Sequence, residues 1–214
     1  MSIKERYKIK SIDKHLANSI QAENHYLHTK ASCLFGFGLY ENDSIIGVIL
    51  YGNPTAPTTL DICGKDNRKE VIELTRLWIK DGTPINTESF FIGNTIKKIR
   101  KKIIIAFADP EYNHIGVIYQ ATNFIYTGRS DRGGNVIAIR NNKIHNKTLW
   151  KQYKTADRIR EVFGAENVYY KPYITKLRYV YFNTKNKRPF INHLIYSILP
   201  YPKREEVSCQ LVLR

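Results

Sequence analysis

Cysteines and long apolar runs are both scarce in this sequence of 214 residues. Its three cysteines, Cys33, Cys63 and Cys209, form no C-x-x-C pair. Their spacing argues against structural zinc and against a disulfide framework, so we expect a reducing compartment, the cytoplasm. No apolar run reaches the ~18 residues of a membrane span, and no charged-then-apolar leader is present. We therefore expect no membrane partner and no secretion.

Acidic residues are also few relative to basic ones. The chain holds 34 Lys and Arg against 19 Asp and Glu, a net charge of +15. Residues 129–188 account for 15 of these cations and only 4 of the acids, a net of +11. Six tyrosines are interleaved with the cations, namely Tyr153, Tyr169, Tyr170, Tyr173, Tyr179 and Tyr181. This pattern favours a surface that binds nucleic acid over a solvated basic surface.

Apolar patterns predict one sizeable core built from strands and helices. Leu34–Tyr40 and Ile45–Gly52 flank four turn residues and predict a hairpin. Val71–Ile79 and Ile103–Ala108 predict two further strands, with a helix from Thr87 or Ser89 to Lys101 between them. Ile3–Lys10 is expected to be a first strand, followed by a helix over Asp13–Asn24.

The sequence becomes strongly basic after Gly128. We therefore expect a catalytic core at residues 1–128 and a basic extension at residues 129–214, packed on the core and binding DNA. Within the extension, Thr148–Phe163 has the pattern of one basic helix. Gly164 follows it as a stop signal.

Phe107–Gly128 has the strongest local pattern. An apolar run stops at Asp109, a polar turn follows, and a helix-like segment begins near His114. That segment carries Tyr119 and ends at Asn123, before another apolar run. A strand, loop and helix in this order place reactive groups at the carboxyl end of a sheet.

Several short strings resemble, by their order and spacing, the phage Mom-type DNA-modification proteins, a divergent branch of the GNAT acyltransferase fold. The strings cover roughly residues 20–128 and include His25-Tyr26, Glu73 to Leu77, Asp81, Pro84, Asn86, Ser89, Phe107 to Asp109, and Ile118 to Phe124. The resemblance implies an α/β fold of the α+β kind. It has a mixed, mostly antiparallel sheet flanked by helices, here with the basic C-terminal extension.

The same resemblance implies a function. These proteins append a carbamoylmethyl- or acyl-type group to the N6 amino group of adenine in phage DNA, which shields the genome from host restriction enzymes. The implied partners are double-stranded DNA and a small-molecule group donor, and the implied location is the host cytoplasm. The alternative is a non-catalytic DNA-binding protein that retains the fold.

Six residues are candidates for the catalytic centre: Tyr119, Asp109, Ser89, Tyr26, His25 and Arg76. Tyr119 matches the tyrosine that protonates the leaving group in the wider fold, and a phenol is a suitable acid for that step. Asp109 is either a base, a ligand or the cap of the next helix. Ser89 is either a hydroxyl in the site or a helix cap.

Arg76 lies in the middle of a predicted strand, where an unpaired cation is costly. Strand alternation places Glu73 on the opposite face, so we expect its partner to be Asp109 or a bound anion. His25 and His28, with Asp109 or His114, also have the composition of a metal site. We therefore leave a metal open.

The donor is not identified by the sequence. Candidates for holding it are Ser89, Asn86, Tyr119 and Asn123. The loop Lys80–Ser89, where acyl-CoA users of this fold have a Gly-rich phosphate loop, holds one Gly, one Pro and two acids. Carboxylates repel a diphosphate and Pro lacks an amide donor, so acetyl-CoA in its usual position is not expected. An acetyl-CoA-like donor stays an alternative.

Seven residues of the basic extension are candidates for DNA phosphate contacts. They are Arg129, Arg132, Lys143, His145, Lys147, Lys176 and Arg178. Such contacts give affinity but little sequence preference.

Overall fold

The computed structural model describes residues 2–25, 27–130, 133–142 and 144–204. Within these ranges, nine strands are present: β1 Tyr7–Ile12, β2 Phe35–Glu41, β3 Ser44–Gly52, β4 Val71–Ile79, β5 Ile103–Ala108, β6 Ile125–Arg129, β7 Asn135–Ile139, β8 Val168–Pro172 and β9 Leu177–Phe182. The α-helices of the same ranges are α1 Ile3–Arg6, α2 Lys14–Asn24, α3 Thr87–Ile96, α4 Val117–Gln120, α5 Asn146–Tyr153, α6 Ala156–Phe163 and α7 Arg188–Asn192.

Seven of these described strands form one mixed sheet in the order β1-β2-β3-β4-β5-β9-β6. Only β4 and β5 pair in parallel, and the other neighbours are antiparallel. The expected mixed, mostly antiparallel sheet flanked by helices is therefore confirmed. One strand of the predicted extension, β9, lies inside this sheet between β5 and β6.

Helices cover both faces of the sheet. The larger apolar cluster buries residues of α3 and α4, including Phe91, Ile92 and Tyr119, against one face. On the other face, Ala17 of α2 packs with Val48 and Leu50 of β3. The layers place the ends of β4 and β5 between two sets of helices.

Residues between β6 and β9 form a small unit of their own. Strands β7 and β8 pair as an antiparallel ribbon, and α5 and α6 cover one side of it. Its core consists of Ile137, Ile139, Leu149 and Ile159. We call this unit, residues 135–172 apart from residue 143, the insertion.

Local predictions held where the pattern was strictly periodic. The hairpin, β4 and β5 lie where the sequence placed them, and β4 and β5 have the predicted bounds. Asn42 supports the hairpin turn, because its φ of 54° lies in the left-handed region that Asn tolerates.

One strand prediction and two helix predictions were wrong in their extent. Residues 3–6 are helical, so the first strand starts only at Tyr7. Helix α3 ends at Ile96, because Asn183 Nδ2 donates to the carbonyls of Ile96 and Ile99 at 2.9 and 2.7 Å. The helix expected near His114 spans only α4, which begins after Gly116 with its φ of 81°.

The predicted helix Thr148–Phe163 is two helices. Lys154 has a φ of 65°, which breaks the helix, and the Thr155 hydroxyl accepts the backbone N–H of Arg158 at the start of α6. Gly164 ends α6 with a φ of 82°, as predicted. None of the helices in the described ranges is long and apolar enough to cross a bilayer.

Candidate active site

The parallel strands β4 and β5 separate at the centre of the sheet. Their pairing runs from Val71–Ile103 to Leu74–Ala106 and stops there, although β4 continues to Ile79. Strands that diverge leave room for a ligand between their ends. The polar residues described below gather at this split.

A β-bulge in β4 decides which side chains share a face. The register with β3 steps from Leu50–Arg76 to Tyr51–Leu74, so Thr75 is an extra residue. Leu50 and Tyr51 of β3 point to opposite faces of the sheet, so their partners Arg76 and Leu74 do as well. Glu73 points away from the face of its neighbour Leu74 and therefore lies on the same face as Arg76. This corrects the expectation from regular alternation that Glu73 cannot accompany Arg76.

Glu73 is a strongly perturbed carboxyl. Burial raises its pKa from 4.5 to about 7. The backbone N–H of Thr55 and the charges of Arg76, Lys176 and Lys147 act in the opposite direction. Glu73 was missed as a candidate from the sequence, because nothing in the local pattern revealed the bulge that orients it.

Asp109 is buried at the end of β5 and has two roles in the structure. Its carboxylate accepts the Glu111 backbone N–H at 3.1 Å, which is the capping role considered from the sequence. Its other oxygen lies 3.1 Å from Lys176 Nζ. Because Lys176 also acts electrostatically on Glu73 and His25, it connects the carboxylates of β4 and β5.

His25 follows α2 and joins the same cluster. Burial and the charges of Arg76, His114, His28 and Lys176 lower the pKa of His25 from 6.5 to about 3. Its Nδ1 accepts the backbone N–H of Leu27 at 3.2 Å. His25 is thus a neutral imidazole. Tyr26, its predicted neighbour in the site, lies outside the described residues.

His145 connects the insertion to this cluster. Its side chain caps α5 by accepting the Lys147 N–H at 3.1 Å, and its ring stacks on Tyr112 with centroids 6.4 Å apart. Burial and Lys176 lower the pKa of His145, while Asp109 and Glu111 oppose this shift. An ion pair between Lys171 and Glu111 fixes the insertion at a second point.

We call the group formed by Glu73, Arg76, Asp109, Lys176, His25 and His145 the split cluster. Five of its members were predicted site residues, and the fold brings them together from β4, β5, α2 and the residues around the insertion. Two carboxylates, two strong cations and imidazoles at one place can bind an anion and move a proton.

Tyr119 lies on the opposite face of the sheet from Glu73 and Arg76. Its ring is buried in the larger apolar cluster, 5.5 Å from the Phe124 ring and 5.4 Å from the Tyr179 ring. It also acts electrostatically on the buried phenol of Tyr51. Its predicted part in the chemistry stays a prediction.

Asn86, Ser89 and Asn123 line one groove between α3 and the end of α4, together with Tyr181. Three of the four residues predicted to hold the donor therefore lie side by side. Ser89 is no helix cap: its hydroxyl donates to the Asn86 carbonyl at 3.0 Å. Asn123 adopts a φ of 62°, which a glycine would reach without strain.

The start of α3 does not fit the diphosphate of acetyl-CoA. The hydroxyls of Thr87 and Ser89 donate to the carbonyls of Pro84 and Asn86, and Glu88 places a carboxylate in the first turn. The Glu88 carboxylate repels an anion there, and the two hydroxyls already donate to carbonyls. We therefore derive no step that uses acetyl-CoA.

The predicted DNA contacts have different outcomes. Lys147 is exposed on α5, and Arg129 is half-buried, with a guanidinium N–H donating to the Thr175 carbonyl at 3.2 Å. Arg178 is only 4% exposed, donates to Thr127 and stacks on Tyr196 at 3.2 Å. Its guanidinium holds β6 against β9, which corrects the expectation that it contacts phosphate. Arg132 and Lys143 lie outside the described residues.

The metal alternative finds no support in the described part of the chain. There, no group of three or more His, Cys, Asp or Glu side chains is arranged to hold an ion. His25 and His28 therefore do not form such a group with Asp109 or His114. His28 instead contacts the Ala22 carbonyl through its Nδ1, at 3.1 Å.

Comparison with known proteins identifies relatives for most of the chain. The Mom protein family matches residues 6–203. Methylcarbamoylase mom of Escherichia phage Mu is 29% identical over 194 residues, which cover 84% of this chain and 73% of that protein.

Solved structures with a related shape are acetyltransferases. YncA of Salmonella typhimurium, solved with its cofactor acetyl-CoA, has a TM-score of 0.49 at 9% identity and covers 86% of this chain and 98% of its own. A variant of spermidine N-acetyltransferase SpeG from Vibrio cholerae has a TM-score of 0.47 at 9% identity, covering 86% of this chain and 99% of that one.

Proposed function

The chain belongs to the Mom protein family and is a transferase, and we propose that it modifies adenine in double-stranded DNA. The reaction proposed is transfer of a carbamoylmethyl- or acyl-type group from a small-molecule donor to the N6 amino group. The name of the phage Mu relative, a methylcarbamoylase, supports a group of this type. The biological role proposed is protection of phage DNA from host restriction.

The chemical difficulty lies in the nucleophile. The lone pair of an adenine amino group is delocalised into the ring, so the nitrogen attacks poorly until it begins to lose a proton. A base placed beside it therefore contributes strongly to the rate. Glu73, with a pKa of about 7, is ionised in a large fraction of molecules at neutral pH and is the base we propose.

The proposed step balances as follows. N6 forms a bond to the electrophilic carbon of the donor, and the bond from that carbon to the leaving group breaks with its electron pair. The N6 proton passes to the Glu73 carboxylate. Tyr119 is proposed to give a proton to the departing group. The donor is proposed to extend from the groove of Asn86, Ser89 and Asn123, past Tyr119, and through the split of β4 and β5 to the face that carries Glu73.

The rest of the split cluster sets the charge of the site. Lys176 forms an ion pair with Asp109, and its charge favours the ionised form of Glu73. Arg76 acts on Glu73 from the same face of β4. Because Nδ1 of His25 accepts the Leu27 N–H, the neutral ring carries its proton on Nε2 and can donate one hydrogen bond without adding a charge to the site.

Chemistry on N6 within a duplex requires that the base leave the stack. The proposed DNA surface joins Arg129 and Lys176 to the exposed Lys147 of α5. Arg132 and Lys143 stay candidates from the sequence alone. His145 stands at the junction of this surface and the split cluster. These cations can bind the phosphates of the DNA backbone while one base leaves the stack.

The observation on which the proposal mainly depends is the half-buried Glu73 near the split of β4 and β5, with its raised pKa and with Arg76 and Lys176 acting on it electrostatically. The test is to co-express the protein with a plasmid and analyse the digested nucleosides by mass spectrometry. We expect an adenine adduct that is lost in Asp109→Ala and Tyr119→Phe. The exposed variant Glu23→Gln, on α2, serves as the control and should retain it.

A second function, a non-catalytic DNA-binding protein, is favoured by one observation. The carboxylates and inward hydroxyls at the start of α3 depart from what an acyl-CoA donor needs. This alternative predicts DNA binding with an unchanged nucleoside profile. The same co-expression experiment therefore separates the two functions.

A further inference from the structure

Gln21 is a buried polar residue whose side chain lacks a partner. It is 0% exposed, and neither Nε2 nor Oε1 forms a hydrogen bond with any residue that the structure describes. A buried amide without partners destabilises the fold, because each group has lost its hydrogen bonds to water. Such groups are few in native proteins, and a ligand that supplies the missing bonds is one explanation for them.

The position of Gln21 relates it to the split cluster. Ala17, Gln21 and His25 follow each other at intervals of four, which places them along one side of α2 and its end. Ala17 packs on β3, and His25 lies within the electrostatic range of Arg76. The His25 backbone N–H donates to the Gln21 carbonyl at 2.8 Å. Gln21 therefore lies between the apolar contact of α2 and the polar site.

A second unsatisfied group follows in the same region. Thr29 is 6% exposed, and its Oγ1 has no partner among the described residues. The segment that contains it, residues 27–33, contacts the bulge of β4, because the Thr75 hydroxyl donates to the Ser32 carbonyl at 2.8 Å. Two buried hydrogen-bonding side chains thus remain unused on the same side of the site as Glu73 and Arg76.

We propose that Gln21 holds the adenine, which makes it a specificity-determining residue of the proposed reaction; the inference rests on that proposed function. A carboxamide presents an acceptor beside a donor, and adenine presents N6–H beside N7. In this arrangement Gln21 Oε1 accepts one N6 proton, and Gln21 Nε2 donates to N7. The other N6 proton faces Glu73, which removes it.

Access requires that residues around Gln21 move aside, because its side chain is fully buried. Thr29 is also buried and belongs to the segment that follows α2. The Thr29 hydroxyl is then available to the base or its sugar. Guanine would meet Gln21 with O6 in place of N6–H, so two acceptors would face each other. The pairing therefore selects adenine.

The test measures the contribution of N7. Duplexes carrying one adenine or one 7-deaza-adenine opposite an abasic site are bound to the full-length protein, and the two Kd values are compared. We expect the wild type to prefer adenine by ~10-fold, as one lost bond of a bidentate pair implies. In Gln21→Met, which keeps the size but not the hydrogen bonds, the ratio should fall to about 1.

Two further variants keep the result interpretable. Gln21→Glu retains the acceptor for N6 but repels N7, so it should bind 7-deaza-adenine at least as well as adenine. It replaces Gln21→Met if that variant fails to fold.

Gln120→Met is the control, because it removes an amide that does have partners, Tyr179 Oη at 3.2 Å and the Ile115 carbonyl. It should lower the Tm and keep the ratio, whereas Gln21→Met should raise the Tm of the protein without DNA.

The outcomes separate this inference from the proposed function. A wild-type ratio near 1, or an equal ratio in wild type and both Gln21 variants, overturns the role of Gln21 even if the protein modifies adenine in cells. If the wild type makes no adenine adduct, the proposed function itself fails.

Discussion

At the scale of single residues, the site holds two groups whose pKa values lie far from their ordinary values. Burial raises the pKa of Glu73 to about 7, and burial with nearby cations lowers the pKa of His25 to about 3. Near neutral pH, Glu73 therefore exchanges its proton easily while His25 stays neutral. A carboxyl that titrates in this range is suited to accept a proton during the transfer step.

Replacing Glu73 should remove the base without removing the fold. We expect Glu73→Gln to slow adduct formation by ~10² or more. In the wild type, the rate should rise with pH through about 7, because only the ionised carboxylate accepts the N6 proton. Both are measured with plasmid DNA in buffered cell extract that supplies the donor. A Glu73→Gln variant as active as Glu23→Gln would exclude Glu73 as the base.

The same group predicts how stability depends on pH. Because the folded pKa of about 7 exceeds the ordinary 4.5, folded Glu73 keeps a proton that the unfolded chain releases between these values. The contribution of this proton to the free energy of unfolding is fully present below about pH 4.5 and is lost as pH rises through about 7. Gln resembles the protonated form and does not titrate. The Tm of Glu73→Gln minus that of wild type should therefore increase from about pH 5 to about pH 8.

This Tm difference isolates Glu73 from His25. His25 has the opposite sign, since its neutral folded form loses stability as pH falls below 6.5, but it is present in both proteins and cancels. Calorimetry across the pH range gives the difference. If it stays constant, the raised pKa of Glu73 is refuted.

At the scale of elements, the entry into α4 depends on one glycine. Gly116 has a φ of 81°, and a Cβ there would lie 2.4 Å from the Tyr179 ring. Ala at this position is strained by its backbone and by the ring, and we expect Gly116→Ala to lower stability by on the order of 3 kcal/mol. It should also displace Tyr119 and reduce adduct formation.

The control for this change is another glycine. Gly93 lies within α3, where an added Cβ meets nothing within 4 Å. Gly93→Ala should leave stability unchanged or raise it by about 1 kcal/mol. Urea denaturation of both variants provides the comparison, and equal midpoints would contradict the assigned strain at Gly116.

Helix α5 is the element we expect to contact the DNA backbone. It starts at His145 beside the split cluster, and Lys147 and Lys151, four residues apart, lie on its exposed side. The double change Lys147→Glu and Lys151→Glu should weaken DNA binding by ~10-fold or more and reduce the salt slope of log Kd by about 2.

A matched charge change on α6 is the control for α5. Arg158 and Arg160 form ion pairs with Glu161 and Asp157 at 2.7 and 2.8 Å, so these cations are already neutralised. Changing both to Glu should affect Kd less. Equal effects of the two double variants, measured by anisotropy at several salt concentrations, would move the DNA surface away from α5.

At the scale of the whole molecule, the chain leaves the sheet after β6, builds the insertion and returns as β9. This path brings Lys176 to Asp109 and His145 to Tyr112, so the residues outside the sheet complete the site at its centre. A basic unit tied to the split cluster in this way can hold DNA where the chemistry is proposed. DNA binding and transfer are therefore expected to fail together when the insertion is disturbed.

Sequence patterns predicted the parts of this architecture that depend on neighbours along the chain. The hairpin, β4 and β5 follow from local periodicity, and Asp109 and His25 follow from their positions at element ends. The placement of Glu73 on the same face as Arg76 depends on a register shift against β3, and the burial of Arg178 depends on β9 lying beside β6. Neither the register shift nor the pairing of β6 with β9 changes the periodicity of the sequence, so neither could be predicted from it.

The central claim is that this transferase attaches a group to N6 of adenine, with Glu73 as the base. Tandem mass spectrometry of nucleosides from a co-expressed plasmid tests it most directly. We predict a new deoxyadenosine derivative whose base fragment carries the added group on the exocyclic nitrogen, present with the wild type and absent with Glu73→Gln. Unmodified deoxyadenosine from cells containing folded, DNA-binding protein would contradict the claim.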